Sequence, residues 1–388
     1  MGQHRPQRNE RSEIDDWMRV VDRLPFVGSV KREVTGLRRL LYDRRAPRLA
    51  VVGAAGSGRT ALANGLLNAA TFGPDGAAPP PAPGAWVRID ADGRRLDWIE
   101  LPADEGTGAL VEMARRAFDE TPPDLLVGVL EAGAPTRDAT RLQDGLRALR
   151  ETLSSAYDSK PGVLIVLSKV DTLPPPGERA DSEPKRRAMD LAIGAVRDAT
   201  SGLGLDEKAY VPVCARPYAG EAYDPRYNLD GLGEAIINKL PDEGRLEAVR
   251  GFEVGREARR EVARTVVNSC SAIALTVGLA PIPFADAFVL LPLQAAMVTG
   301  IAYVSGRGWD KKAAAEWIAS VGAVGSAGIG LRWGAQQLVK LVPGAGSLVG
   351  ASVAGAGTMA IGRSAIAYFI DGPGSTQKRP ELRADNPA

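Results

Sequence analysis

Short unbroken apolar runs alternate along this chain with longer stretches in which apolar residues recur every three or four positions. Leu49-Ala50-Val51-Val52 is one such run, closed by Gly53, and "DLLVGVLEA" (124–132), "GVLIVLSKVD" (162–171) and "YVPVCA" (210–215) are others. Near-continuous apolar runs of this length are expected of strands buried on both faces of a parallel sheet. "AWVRIDADGRRLDWIEL" (85–101) reads instead as a β-hairpin turning near Ala91-Asp92-Gly93. The alternation over 48–242 predicts a doubly wound α/β domain with a mostly parallel sheet. "GPDGAAPPPAPG" (73–84) and "LPPPGERADSEPKRR" (173–187) read as flexible surface loops. Residues 1–47 carry two helical faces, Ile14, Trp17, Met18 and Val21, then Val30, Val34, Leu37 and Leu41, separated by "LPFVG". They predict a helical hairpin packed on its own chain.

Beyond residue 243 the pattern changes. The stretches 265–285, 287–306, 317–331 and 341–362 contain no charged residue, and residues 243–371 predict an all-α, Ala/Gly-rich domain. Three of these stretches reach the length of a membrane span. Small residues at small-x-x-x-small spacing in "VPGAGSLVGASVAGAGTMAIG" permit close helix packing. Insertion in a membrane, or tight association with one, is the favoured expectation, and a compact soluble bundle is the other. The polar segment 372–388 reads as a disordered tail.

Composition narrows the chemistry. The chain has 388 residues, 45% of them hydrophobic, enough for two or three cored domains. Its formal net charge of +1 provides no general field for nucleic acid, and no nucleic-acid partner is expected. Two cysteines, Cys214 and Cys270, are too few for a disulfide framework and fit a reducing cytoplasm. The single histidine, His4, lies in a polar N-terminal stretch that does not read as a signal peptide. This excludes His-based triads and His-Cys zinc sites.

The specific chemical signal lies at Gly53-Ala54-Ala55-Gly56-Ser57-Gly58-Arg59-Thr60-Ala61. It follows the first apolar run and opens a helical pattern. Strand, glycine-rich turn and helix start are the context in which G-x-x-x-x-G-K-[ST] cradles phosphates with backbone N–H groups. The helix N-terminus adds positive potential, and Thr60 is placed to offer its hydroxyl to Mg2+. Arg59 stands where such loops carry lysine. Its planar guanidinium supplies charge but not the slim reach of an ammonium between phosphates. Phosphate binding by the amides is expected to survive this change, while charge stabilisation at a terminal phosphate suffers.

Ser168, Lys169 and Asp171 come at the end of the 162–168 apolar run. A carboxylate there accepts both N1–H and N2–H of guanine, which adenine does not offer, and the stem of Lys169 lies over the base. In "VPVCA" the backbone amides of Cys214 and Ala215 are placed to meet the guanine oxygen.

At these residues the chain resembles Era-like GTPases of the TRAFAC class. The order phosphate loop, S/T/N-K-x-D, then [S/C]-A occupies 48–242. The resemblance implies a P-loop G domain with GTP or GDP and Mg2+ as ligands. It also implies a D-x-x-G motif whose Asp supports Mg2+ and whose Gly amide touches the terminal phosphate. "WIELPADEG" offers Glu100 and Ala103 in those two places, and "PAPGAWV" is a poor match to the family's threonine switch. Base recognition is retained while the parts that serve hydrolysis are altered.

"GLAPIPFADAFVLLPLQAAMVTGIAYVSG" resembles the YcjF-like helical domain of unknown function found behind Era-like domains in bacteria. Pro281, Pro283, Ala285, Asp286, Leu293, Gln294 and Tyr303 carry that resemblance, which implies a membrane link. The expected protein is therefore a guanine-nucleotide-binding switch or assembly protein. It works on the cytoplasmic side of a bacterial inner membrane, with weak or partner-dependent hydrolysis and a possible homo-oligomer or protein partner. The alternative is a pseudo-GTPase scaffold for oligomerisation or docking. A metabolic enzyme is disfavoured, since no acid–base cluster stands out.

Overall fold

The computed structural model describes residues 28–73, 78–91, 93–217, 223–279, 289–309 and 347–372. The chain divides into two compact units, residues 43–258, and residues 1–42 together with 259–388.

In the first unit six strands form one sheet: β1 (Arg48–Gly53), β2 (Val87–Ala91), β3 (Arg94–Pro102), β4 (Leu125–Glu131), β5 (Gly162–Ser168) and β6 (Tyr210–Pro212). Their order is β2-β3-β1-β4-β5-β6, with only β2 antiparallel to its neighbour. The apolar runs become fully buried central strands: Leu49, Ala50, Val51 and Val52 of β1 and Leu164 and Val166 of β5 have no exposed surface. The hairpin predicted over 85–101 is β2–β3, turning through Gly93. Because β1 lies between β3 and β4, connections leave the sheet to either side of it. The loops after β1, β3, β4 and β5 therefore gather at one carboxyl edge, where open α/β sheets place ligands.

Two helical layers cover the sheet. One holds α2 (Arg59–Leu67), α6 (Leu229–Lys239) and α7 (Asp242–Gly251). The other holds α3 (Thr107–Phe118), α4 (Ala139–Tyr157) and α5 (Glu183–Ala199). At the opposite edge of the sheet, Arg45 makes a two-pronged pair with Asp124 at 2.6 Å. Buried Glu247 of α7 meets Arg44 at 3.4 Å and Arg95 at 3.1 Å. Residues 43–47 and α7 therefore fold with the sheet, although the sequence pattern had set them outside it.

The segment 173–187 is not the flexible loop its Pro-rich composition suggested. Glu183 already begins α5, with Ser182 capping the Lys185 N–H at 3.4 Å and a proline in the first turn. The Ser182 hydroxyl donates to Glu178 at 2.7 Å, and Tyr223 donates to the Glu178 carbonyl at 3.0 Å. Of the other predicted loop, residues 74–77 lie outside the described residues. Its flanks close on each other, Ala78 N–H donating to Thr71 at 3.0 Å.

The second unit contains α1 (Gly28–Leu41), α8 (Arg256–Leu279, whose first turn still counts with the sheet), α9 (Leu291–Val304) and α10 (Ser347–Ile366). Val34, Leu37 and Leu41 of α1 are buried, as their spacing predicts, whereas the first helix of the expected hairpin lies outside the described residues. In α8, Ala263, Val266, Val267, Cys270, Ile273, Ala274 and Val277 form one buried stripe at helical spacing. Small residues allow α10 to come close: a β-carbon at Gly362 would lie 2.5 Å from Val267. Gln294 donates to Thr358 at 3.0 Å, and Ser269 donates to Glu33 at 2.8 Å. Leu293 and Tyr303 are buried, while Pro281, Pro283, Ala285 and Asp286 lie outside the described residues, as does the disordered tail expected after 372. Among the described residues, no helix is long and apolar enough to cross a membrane.

Candidate functional site

The loop from Gly53 to Arg59 leaves β1 at the carboxyl edge and turns into α2. Gly58 adopts φ 96°, a left-handed conformation that a side chain disfavours, and it delivers the chain into the helix. Gly53 is required for a different reason. A β-carbon there would stand 2.7 Å from Ser57 Oγ and 2.8 Å from the Val129 carbonyl. The Ser57 hydroxyl is buried beneath the loop without a hydrogen-bond partner. Sheet order, loop and helix together make a mostly parallel α/β fold with a glycine-rich loop of the P-loop kind between β1 and α2.

Arg59 does not point outward. Its Nη1 donates to the carbonyl of Gly53, the first residue of the loop, and its Nε lies 3.4 Å from Glu100 Oε2. Glu100 is buried at the end of β3, one strand from the loop, with Val51 of β1 as its register partner. Its Oε1 accepts from the Thr60 hydroxyl at 2.8 Å and from the Trp98 indole at 3.3 Å. Arginine, threonine and carboxylate thus satisfy one another. The amide of Ala103, expected from the resemblance to face a terminal phosphate, donates instead to the Gly53 carbonyl at 3.1 Å. Asp104, a residue the sequence reading passed over, accepts the Ala55 N–H at 2.8 Å. A carboxylate therefore already sits on one of the loop amides predicted to face phosphate.

Ser168 joins this half of the site to the other. Its buried hydroxyl lies 2.6 Å from the Ser57 carbonyl and 3.1 Å from that of Leu130, anchoring the loop to the ends of β4 and β5. Lys169 follows at φ 57°, a left-handed conformation unusual for a residue with a long side chain, and its ammonium lies 3.4 Å from Glu131. Asp171 is carried on the single turn Val170–Thr172. Its Oδ1 accepts from the Cys214 thiol at 3.2 Å and its Oδ2 from Arg216 Nε at 3.1 Å. Burial, with the Asp171 carboxylate beside it, pushes the Cys214 thiol up to about 12, so it remains a neutral donor.

The predicted base contacts are corrected in one respect. The Cys214 amide is committed to the Tyr227 carbonyl at 3.1 Å, and the Tyr227 amide returns to Cys214 at 2.9 Å. This isolated bridge extends β6 and takes the Cys214 N–H out of the site, because a buried amide must be paired. Ala215, the next residue, packs near Gly65 of α2. Three residues escaped the sequence reading: Asp104, Arg216 and Lys185. Asp104 and Arg216 are ordinary surface charges in one dimension, and only the fold brings them to the site.

No family model matches the chain, and no curated protein matches it. Similar solved structures include a variant of Era from Aquifex aeolicus bound to GDP·AlF4⁻, at 16% identity over 61% of this chain and 68% of that one, TM-score 0.30. Toc33 from Arabidopsis thaliana with Mg2+ and GMPPNP is similar at 15% identity over 58% of this chain and 91% of that one, TM-score 0.32. A GTP-binding protein from Sulfolobus solfataricus in complex with GDP is similar at 16% identity, TM-score 0.30; the match covers 59% of this chain and 61% of that protein. Likenesses this distant carry no chemistry, and the site rests on its own geometry.

Proposed function

We propose that residues 43–258 bind a guanine nucleotide. The phosphates would lie on the loop from Gly53 to Ala61, and the base between the Lys169 stem and the Asp171 carboxylate. The observation that carries this reading is the state of Asp171. Its carboxylate stands at the carboxyl edge, tied through Ser168 to the phosphate loop, and accepts from a guanidinium. Arg216 Nε on Oδ2 and the Cys214 thiol on Oδ1 put one donor on each oxygen, the number that the N1–H and N2–H edge of guanine offers. A carboxylate that takes those two donors can take the guanine edge in their place.

Thr60 and Glu100 suit Mg2+. They present a hydroxyl and a carboxylate oxygen 2.8 Å apart, and this hard cation is usually held by one or two protein oxygens with phosphate and water completing the shell. Bound there, it would neutralise phosphate charge. Hydrolysis would be slow, at or below about 10⁻⁴ per second without a partner, because Arg59 is turned onto Glu100 and the Ala103 amide is committed elsewhere. The same latched contacts favour a second reading, a scaffold whose G domain no longer cycles. Calorimetry with GDP and ADP separates these readings from failure of the site. A clear preference for GDP supports base recognition by Asp171, and equal or absent binding refutes it.

The helical unit is proposed to hold the protein at a membrane surface, on the strength of the charge-free stretches 265–285 and 287–306. Co-sedimentation of the full chain with anionic vesicles tests this; protein that stays in the supernatant at low salt removes the membrane half of the proposal. A switch or assembly role, working through a second copy or a protein partner, would follow from nucleotide-dependent change in that association.

A further inference from the structure

Lys185 is fully buried at the third position of α5. It is disfavoured there twice over. An ammonium has been taken out of water, and it stands in the first turn of a helix, where the aligned peptide dipoles repel a cation. What compensates it is backbone: Nζ donates to the carbonyl of Asp171 at 2.6 Å and to that of Leu173. The first belongs to the middle residue of the turn Val170–Thr172 and the second to the residue that follows it, and the turn is entered through Lys169 in its left-handed conformation. The turn has a few other ties: the Val170 N–H to Val213 at 3.4 Å and the Thr172 hydroxyl to the Lys169 carbonyl at 2.8 Å. If packing were all the fold needed here, a methionine of similar length would serve without the desolvation cost.

We infer that Lys185 is the positioning residue of the base site. It holds the carbonyl of Asp171 itself and that of Leu173 just past the turn, and so fixes the peptide that carries the Asp171 side chain. The carboxylate is then already aimed when a guanine edge arrives. Lys185 itself touches no ligand. The inference rests on the guanine reading above and adds the group that sets its selectivity. The Pro-rich segment 173–182 is the tether that returns the chain from the turn to this lysine.

The test uses the full-length protein and three ligands in calorimetry: GDP, inosine diphosphate, which lacks the 2-amino donor, and inorganic pyrophosphate. Wild type should favour GDP over inosine diphosphate by about tenfold or more, the discrimination expected of a site built to bond that donor. Lys185→Met should cut this ratio to about threefold or less and leave pyrophosphate affinity within about twofold. Lys185→Gln, which keeps donors but not charge or reach, should fall between. An unchanged ratio, or an equal loss for all three ligands, overturns the inference, the second because it marks a role in stability alone. A wild type blind to the 2-amino group refutes the guanine reading itself, before any variant is made. Should both variants fail to fold, amide exchange on wild type decides. Residues 170–173 should already exchange slowly without ligand, as a turn held by Lys185 requires, and fast exchange there in the unliganded protein overturns the role of Lys185.

Discussion

The two ends of the site are built on opposite plans. At the phosphate end, charges are spent on one another: Arg59 turns to Glu100 and the Gly53 carbonyl, the Ala103 amide is used up, and Asp104 covers the Ala55 N–H. At the base end a carboxylate is held ready. Its donors are a neutral thiol and an exposed guanidinium, and the turn beneath it is supported by a buried ammonium. Ser168 links the two through the Ser57 carbonyl. The difference separates recognition from turnover. On the proposed reading, selecting a base needs a fixed pair of acceptors, which Asp171 would supply, whereas stabilising charge on a transferring phosphoryl group needs free donors aimed at it.

Asp171→Asn strikes this contrast hardest. Two bonds from guanine to a charged acceptor are lost or inverted, about 3 kcal/mol net and so about 100-fold in GDP affinity by calorimetry, with an unchanged melting temperature. Retained affinity would mean that the base end does not read the base.

Arg59→Lys tests the other end. A slimmer cation that reaches between phosphates should raise GTP affinity or single-turnover hydrolysis by about tenfold. A domain that serves only as a scaffold will show no change in either.

Asp104→Ala should free the Ala55 amide and remove a negative charge from the loop mouth, tightening GDP about fivefold, on the order of 1 kcal/mol. Weaker binding would instead make Asp104 part of the ligand site.

Arg216→Ala removes the group that guanine must displace. Because its side chain is half exposed, the pair contributes at most about 1 kcal/mol, and GDP should bind about threefold tighter at low salt. A loss of affinity would make Arg216 a partner of the base.

The pH dependence is smaller still in the neutral range. The raised Cys214 value keeps the thiol protonated in the folded chain, while the unfolded chain loses its proton near the ordinary value of 9.0. Burial acts the same way on Cys270. These thiols therefore contribute full stability below about pH 9, and it is lost as pH rises from there, for Cys214 up to about 12. Chemical denaturation across pH 7–10.5 should be flat at first and then decline. Replacing both cysteines with alanine should flatten the decline.

Much of this was legible in one dimension. Unbroken apolar runs forecast β1, β4 and β5, and the glycine spacing forecast the loop into α2, because burial on both faces of a sheet and tight turns at positive φ each demand particular residues locally. Two failures share a cause. The segment 173–187 looked like a loop because its prolines and charges are common in loops. Lys185 was invisible for the same reason: nothing local distinguishes a lysine whose ammonium is buried from one in water. The Cys214 amide was misassigned because its partner, Tyr227, lies beyond a segment of unrelated sequence.

The sequence by itself determined the strand–loop–helix nucleus at Gly53–Ala61, the placement of Asp171 after a buried strand, and the substitution of Arg59 for lysine. Each is set by residues within a few positions of one another, through backbone conformation and apolar periodicity. Only the tertiary structure decided what those groups do. Partners 40 or more residues apart meet because parallel neighbours end at one edge: Thr60 with Glu100 and Ala55 with Asp104 through the pairing of β1 with β3, and Asp171 with Cys214 and Arg216 through that of β5 with β6. Short-range electrostatics and hydrogen bonds have reach only over a few ångströms, so their outcome is settled by the sheet order and not by the spacing of residues along the chain.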